Sequence, residues 1–83
     1  MTNKIVELKT RLCNKFKADI KIYNYYDGYL NEEYWLFLIN FLKNDVSVRI
    51  TIYESILCHY TIGELYDIMI ARIEAEILSH FIK

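Results

Sequence analysis

The side chains of this 83-residue chain best equipped for chemistry are Cys13, Cys58, His59, His80 and two acid pairs, Glu32–Glu33 and Glu74/Glu76. A thiol beside an imidazole can form a nucleophile–base pair, and a set of such groups can hold zinc. Spacing argues against both. Cys58 and His59 are adjacent, so in extended chain their side chains point apart. No pair among Cys13, Cys58, His59 and His80 has the ligand spacing of a zinc finger. His80 falls at the edge of a helical apolar stripe, where a core-rim histidine is the ordinary occupant. The acid pairs read as surface, because neither sits among residues that would enclose a dry pocket. The sequence has no Gly-rich phosphate loop, no G-x-S-x-G elbow, no H-E-x-x-H and no C-x-x-C. The expectation is a protein that is not an enzyme, with no catalytic residue, cofactor or metal.

Composition points instead to contacts. The chain is 54% hydrophobic and 16% aromatic, with eight Tyr, two Gly and no Pro. A single domain of this size hides only about two-thirds of its unfolded surface, so so much apolar material favours a buried interface with itself or a partner. The net charge of −1 conceals an asymmetry. Residues 1–22 carry six cations against two acids, and the rest carries four cations against nine acids. That division suits protein contacts at least as well as nucleic acid, for which an overall basic footprint is expected. Charges in the first nine residues break any secretory h-region, and no apolar run is long enough to span a bilayer as a helix. Reduced thiols and a cytoplasmic location, away from membranes, are expected.

The elements that position these residues follow from periodicity. Ile5, Leu8, Leu12 and Phe16, widened by Val6 and Cys13, predict an amphipathic helix over 3–17, capped by Asn3 or Thr2. Its far side carries Lys4, Arg11 and Lys15. Alternation predicts a strand over 19–25, followed by an Asp27-Gly28 turn in which Gly would supply positive φ; the connection is expected to run on to Glu32. The run Tyr34-Trp35-Leu36-Phe37-Leu38-Ile39-Asn40-Phe41-Leu42 predicts a central strand over 34–43, apolar on both faces. A helix over 32–43 is the rival reading, but it would be apolar on all sides. Val46, Val48, Ile50 and Ile52 alternate with polar neighbours and predict a strand over 46–54.

A two-residue Asn44-Asp45 turn would set Phe41 opposite Val48, Ile39 opposite Ile50 and Phe37 opposite Ile52. Parity then divides the sheet into two faces. One holds Ile20, Ile22, Trp35, Phe37, Ile39, Phe41, Val48, Ile50 and Ile52, a core. The other holds Lys21, Tyr23, Tyr25, Tyr34, Leu36, Leu38, Asn40, Leu42, Ser47, Arg49, Thr51 and Tyr53. Of these, Tyr23, Tyr25, Tyr34, Leu36, Leu38, Leu42, Arg49 and Tyr53 are the candidate partner-binding residues.

Thr61-Ile62-Gly63-Glu64 is a capping box, with Tyr60 and Leu65 placed as a hydrophobic staple. It predicts a helix over 62–82 whose stripe Ile62, Tyr66, Met69, Ile70, Ile73, Ile77 and Phe81 packs on the sheet. A second stripe, Ile68, Ala71, Ala75, Leu78 and Ile82, forms a heptad-like seam. The first helix is the expected neighbour along it, and a homodimer is the alternative. The fold class is therefore α+β: a two-layer α-β-β-β-α domain, its three-stranded antiparallel sheet carrying both helices on one face.

This order resembles that of double-stranded-RNA-binding domains. Those domains place a Lys-rich motif at the start of the last helix, where this chain has Gly63-Glu64-Leu65-Tyr66-Asp67, so RNA binding is not implied. The order is also similar to that of small phage-encoded inhibitors, including some anti-CRISPR proteins. Three functions are compatible with these readings. The leading one is a protein–protein binding module, of the phage or mobile-element inhibitor or adaptor type, acting through the open face and last helix. The others are a nucleic-acid binder stacking bases on Tyr23, Tyr25, Tyr34 and Tyr53 with Lys21 and Arg49 on phosphates, and a self-associating homodimer.

Overall fold

A computed structural model describes residues 2–41 and 46–81. The elements run α1 (Thr2–Phe16), β1 (Asp19–Asp27), β2 (Glu32–Phe41), β3 (Val46–Tyr53), α2 (Glu54–His59) and α3 (Ile62–Phe81). The sheet is antiparallel in the order β1-β2-β3, with β2 central. The fold is α+β as expected, and residues 32–41 are strand, not helix. One element was not anticipated. The single-turn α2 is shorter than the window in which a helical period can be recognised.

The two-face division of the sheet holds. Ile20, Phe37, Ile39, Val48, Ile50 and Ile52 are buried beneath the helices, with Ile22, Trp35 and Phe41 packed at their margin. From α1 come Ile5, Leu8 and Leu12, and α2 adds Leu57. Phe16 meets Phe41 edge-to-face at 5.7 Å between ring centroids, closing one end of the core. The strand register, by contrast, is displaced by two residues. Phe41 lies opposite Val46, Ile39 opposite Val48 and Phe37 opposite Ile50. A shift of two preserves parity, so every side chain keeps its face. The Asn44-Asp45 turn and Leu42 lie outside the described residues.

Several local expectations need correction. The helix α1 already includes Thr2 and Asn3, so neither stands ahead of it as a cap. Val6 is 56% exposed and does not widen the buried stripe. The β1–β2 turn uses its glycine differently: no Gly has positive φ, and Asn31 carries it at 56°. Asn tolerates the left-handed region better than most residues. Asp27 organises this turn, its Oδ1 accepting the Tyr29 N–H at 2.9 Å and the Leu30 N–H at 3.1 Å. The strands consequently continue to Asp27 and resume at Glu32.

The last helix starts as its sequence dictates. The Thr61 N–H donates to Glu64 Oε1 at 2.9 Å, and the Glu64 N–H donates to Thr61 Oγ1 at 3.2 Å. The bond from the Thr61 backbone N–H holds the Glu64 carboxyl below its usual range, with a smaller contribution from the Thr61 hydroxyl. The helix is rotated slightly from the expected stripe. Leu65, Met69 and Ile73 are its buried line, while Ile62, Tyr66, Ile70 and Ile77 flank the core. Apolar residues surround most of this helix, so period alone cannot fix its rotation.

Candidate binding face

The register places the open-face residues in successive rows across the three strands. Asp27 lies opposite Glu32; then come Tyr25, Tyr34 and Tyr53; then Tyr23, Leu36 and Thr51; then Lys21, Leu38 and Arg49; and finally Asp19, Asn40 and Ser47. The predicted binding residues Tyr23, Tyr25, Tyr34, Leu36, Leu38, Arg49 and Tyr53 are therefore brought together on one surface. Tyr23, Tyr25 and Arg49 are exposed, and the rest are half-buried by one another. Among the described residues, the helices contribute their buried side chains to the opposite face and border this one only at its β3 edge, where Tyr53 lines a groove with Ile56.

The four tyrosines are contiguous. Ring centroids are 6.4 Å apart for Tyr23–Tyr25, 5.5 Å for Tyr25–Tyr34 and 5.1 Å for Tyr34–Tyr53. The last two pairs are directly opposite each other on neighbouring strands, where side chains interact most strongly. Centroid separations of this size are within the favourable range for aromatic pairs. The rings thus adjoin one another in a continuous platform.

The end of the platform is tied down. Tyr53 Oη donates to Asp27 Oδ2 at 2.8 Å. That bond, together with the turn amides of Leu30 and Tyr29, holds the Asp27 carboxyl below its ordinary range. The same bond pushes the Tyr53 phenol up. Glu32, the next acid in this row, accepts the Ser55 N–H at 3.0 Å. Tyr53, which precedes α2, makes no side-chain cap, so Glu32 supplies one from β2. At the far end Ser47 Oγ bonds to Asn40 Oδ1 across β2 and β3. The face therefore carries a polarity along its strands: carboxylates, aromatics, a mixed apolar row, cations, then neutral polar groups beside Asp19.

The predicted seam on α3 has a different fate. Ile68 is 38% and Leu78 58% exposed, and Ala71 and Ala75 are exposed between them. The helix α1 does not cover this line. It meets α3 chiefly on the other flank, where the Arg11 guanidinium lies 5.8 Å from the Tyr66 ring centroid, and Phe16 shares a shallow cleft with Ile77 and, of the seam, Leu78. Ile82 lies outside the described residues. On the seam side, a groove of about 270 Å³ runs between β3, α2 and α3, lined by Ile52, Ile56, Leu65, Ile68 and Met69 among others. Arg72 Nη1 crosses to the Thr51 carbonyl at 3.2 Å, occupying an outward peptide group of the edge strand.

Among the described side chains, which do not include that of His80, the sulfur and imidazole groups are not assembled. Cys13 is partly buried on α1, and Cys58 and His59 are exposed on α2. Among the described residues no three of His, Cys, Asp and Glu are grouped to hold a metal. No described helix is long and apolar enough to cross a membrane.

One important residue escaped the sequence reading. Lys4, assigned there to the solvated face of α1, reaches the Leu57 carbonyl at 2.5 Å and the Tyr60 carbonyl at 2.9 Å. It closes the C-terminal end of α2, where carbonyls lack helical partners and favour a cation. Only α2 could have revealed this role. The exposed tip of the first hairpin, with Tyr29 at 98% and Leu30 at 58%, was also not singled out.

Compared with known proteins, the sequence matches no family model, no curated protein and no solved structure.

Proposed function

We propose that the chain is a non-catalytic binding module that docks a protein partner on its open sheet face, in the manner of a small inhibitor or adaptor. The observation that supports this reading is the continuous row of Tyr23, Tyr25, Tyr34 and Tyr53 beside half-buried Leu36 and Leu38. Tyrosine offers large contact area with few rotatable bonds, and aromatics with Arg are favoured at interface centres. Binding there hides apolar surface without ordering flexible chains, so little entropy opposes it.

The same tyrosines would also serve as a base-stacking platform. Charge weighs against that reading. The face presents Lys21 and Arg49 against Asp19, Asp27 and Glu32, a balance that gives phosphates little purchase.

The test uses a photo-crosslinking amino acid placed singly at Leu36, at Leu38 and at Lys9 on the outer side of α1. The expected result is protein adducts from Leu36 and Leu38, with few from Lys9. Leu38→Glu, in a chain photolabelled at Leu36, should remove the adducts while circular dichroism stays unchanged. Adducts destroyed by nuclease, equal yields from all three positions, or unfolding by Leu38→Glu would each overturn the reading.

A further inference from the structure

We propose that the open face is self-complementary and that its occupant is a second copy of this chain, packed face to face about a two-fold axis running across the strands. This rests on the reading of that face as a protein-docking surface, and adds the partner.

The order of the rows carries it. Along the strands the face runs from Asp27 and Glu32, through two rows of aromatic and apolar residues, to Lys21 and Arg49. Successive rows on one face are two residues apart, so the acidic and basic rows are separated by roughly 20 Å. A face-to-face pair has two simple two-fold arrangements. With the axis along the strands, each row meets its own copy, so that cations oppose cations and carboxylates oppose carboxylates. With the axis across the strands, between the Tyr34 row and the Leu36 row, the order of the second copy is reversed. Lys21 then lies over Asp27 of the second copy, Arg49 over the end of β3 that leads into Glu54, and Leu38 over Glu32. Tyr25 meets Tyr23, and Tyr34 meets Leu36. Only the second arrangement pairs opposite charges and buries the aromatic and apolar rows against each other, which is what selects an orientation among possible partners.

Three strands by the four rows that overlap give roughly 400 Å² of projected face per copy. That is about half the area per partner of a standard stable interface, so the dimer is weak and its population depends on concentration. Its charged rim makes it sensitive to salt.

Sedimentation velocity over the micromolar to millimolar range tests this directly. The expected outcome is a reversible monomer–dimer equilibrium that weakens as salt is raised. The double variant Lys21→Glu with Arg49→Glu should weaken it by about tenfold or more, since each change turns an attraction into a repulsion. Both side chains are exposed, so the fold is unaffected, as circular dichroism would confirm. Lys9→Glu with Lys15→Glu on α1 should leave the dimer unchanged. For orientation, in a Cys58→Ser background, mixing Tyr23→Cys and Tyr25→Cys chains should give more disulfide-linked dimer than either alone. A monomer at every concentration, indifference to the Lys21/Arg49 reversal, or equal trapping in the cysteine experiment would overturn the proposal. If the protein is monomeric but Leu38 still photolabels other proteins, the self-pairing fails and the docking face survives. If it is monomeric and Leu38 labels no protein, both fail.

Discussion

The two faces of the sheet are built on the same three strands, and in β2 they alternate residue by residue, yet they are made of different materials. Under the helices the side chains are mostly Ile, Val and Phe, with Phe37 and Ile39 fully buried. On the other side Tyr34, Leu36 and Leu38 are only half-buried, and charges stand on the flanking strands. A face meant to remain covered can be wholly apolar. One that must also be stable in water keeps its apolar centre small and carries hydroxyls and charges around it. The sharpest way to break this comparison is to truncate neighbours pointing in opposite directions. Phe37→Ala should cost about 3–5 kcal/mol, the loss expected for an aromatic in a packed core. Leu38→Ala, one residue on, should cost about 1 kcal/mol, because its side chain is only half-buried. Urea denaturation of the two variants gives the difference. Equal losses would mean that the open face is already covered in the protein as isolated.

That division was legible before any coordinates, because the side-chain period of two survives errors in strand pairing. The assumed Asn44-Asp45 turn gave the wrong partners for Phe37, Ile39 and Phe41, but an even shift leaves each residue on its side. The Thr61/Glu64 box was legible for a different reason. Its two bonds are local and join residues three apart, so no tertiary knowledge is needed. What escaped notice depends on distant contacts. The single turn α2 has too few residues to show a period, and its ends are completed by Glu32 from β2 and Lys4 from α1. The rotation of α3 was likewise hidden, since Leu65 and Ile68 are equally apolar in sequence but only Leu65 is buried. For the same reason the Ile68–Leu78 seam could not be assigned a neighbour from spacing, and α1 packs along the other flank.

The covered face also depends on a charge, which sharpens the contrast with the open one. Lys4 spans 53 and 56 residues of sequence to reach the carbonyls of Leu57 and Tyr60. By doing so it fixes α2 over the end of the core, where Leu57 is fully buried. Lys4→Met keeps the apolar stem and removes the donor. A hydrogen bond to a charged group contributes about 1.5–3 kcal/mol, and water can replace part of it at this half-buried site. A loss of about 1–2 kcal/mol is expected, with faster amide exchange confined to residues 54–60. Lys9→Met, on the exposed side of the same helix, should change stability by less than about 0.5 kcal/mol. If the two substitutions cost the same, Lys4 does not hold α2 in solution.

The smallest effect expected belongs to the open face, at the Tyr53–Asp27 bond that ends the tyrosine row. Its two partners titrate in opposite directions. Asp27 is held below the ordinary carboxylate range, so its contribution is present above about pH 4 and is lost as pH falls through the depressed folded value. Tyr53 is pushed above the ordinary phenol range, so its contribution is present below about pH 10 and is lost as pH rises through the raised value. Between these limits the bond should make stability nearly independent of pH. Tyr53→Phe keeps the ring in its row and removes the hydroxyl. Asp27 retains the Tyr29 and Leu30 amides, so its carboxyl should titrate higher than before but still below the ordinary value. Carboxyl-carbon NMR would follow it, with Glu64 as the internal control because its depression comes from Thr61 alone among hydrogen-bond partners. An Asp27 titration unchanged by Tyr53→Phe would show that the turn amides suffice and that the aromatic row ends free. The platform would then be braced only ring against ring, and its partner would meet a more mobile edge at Tyr53 than at Tyr34.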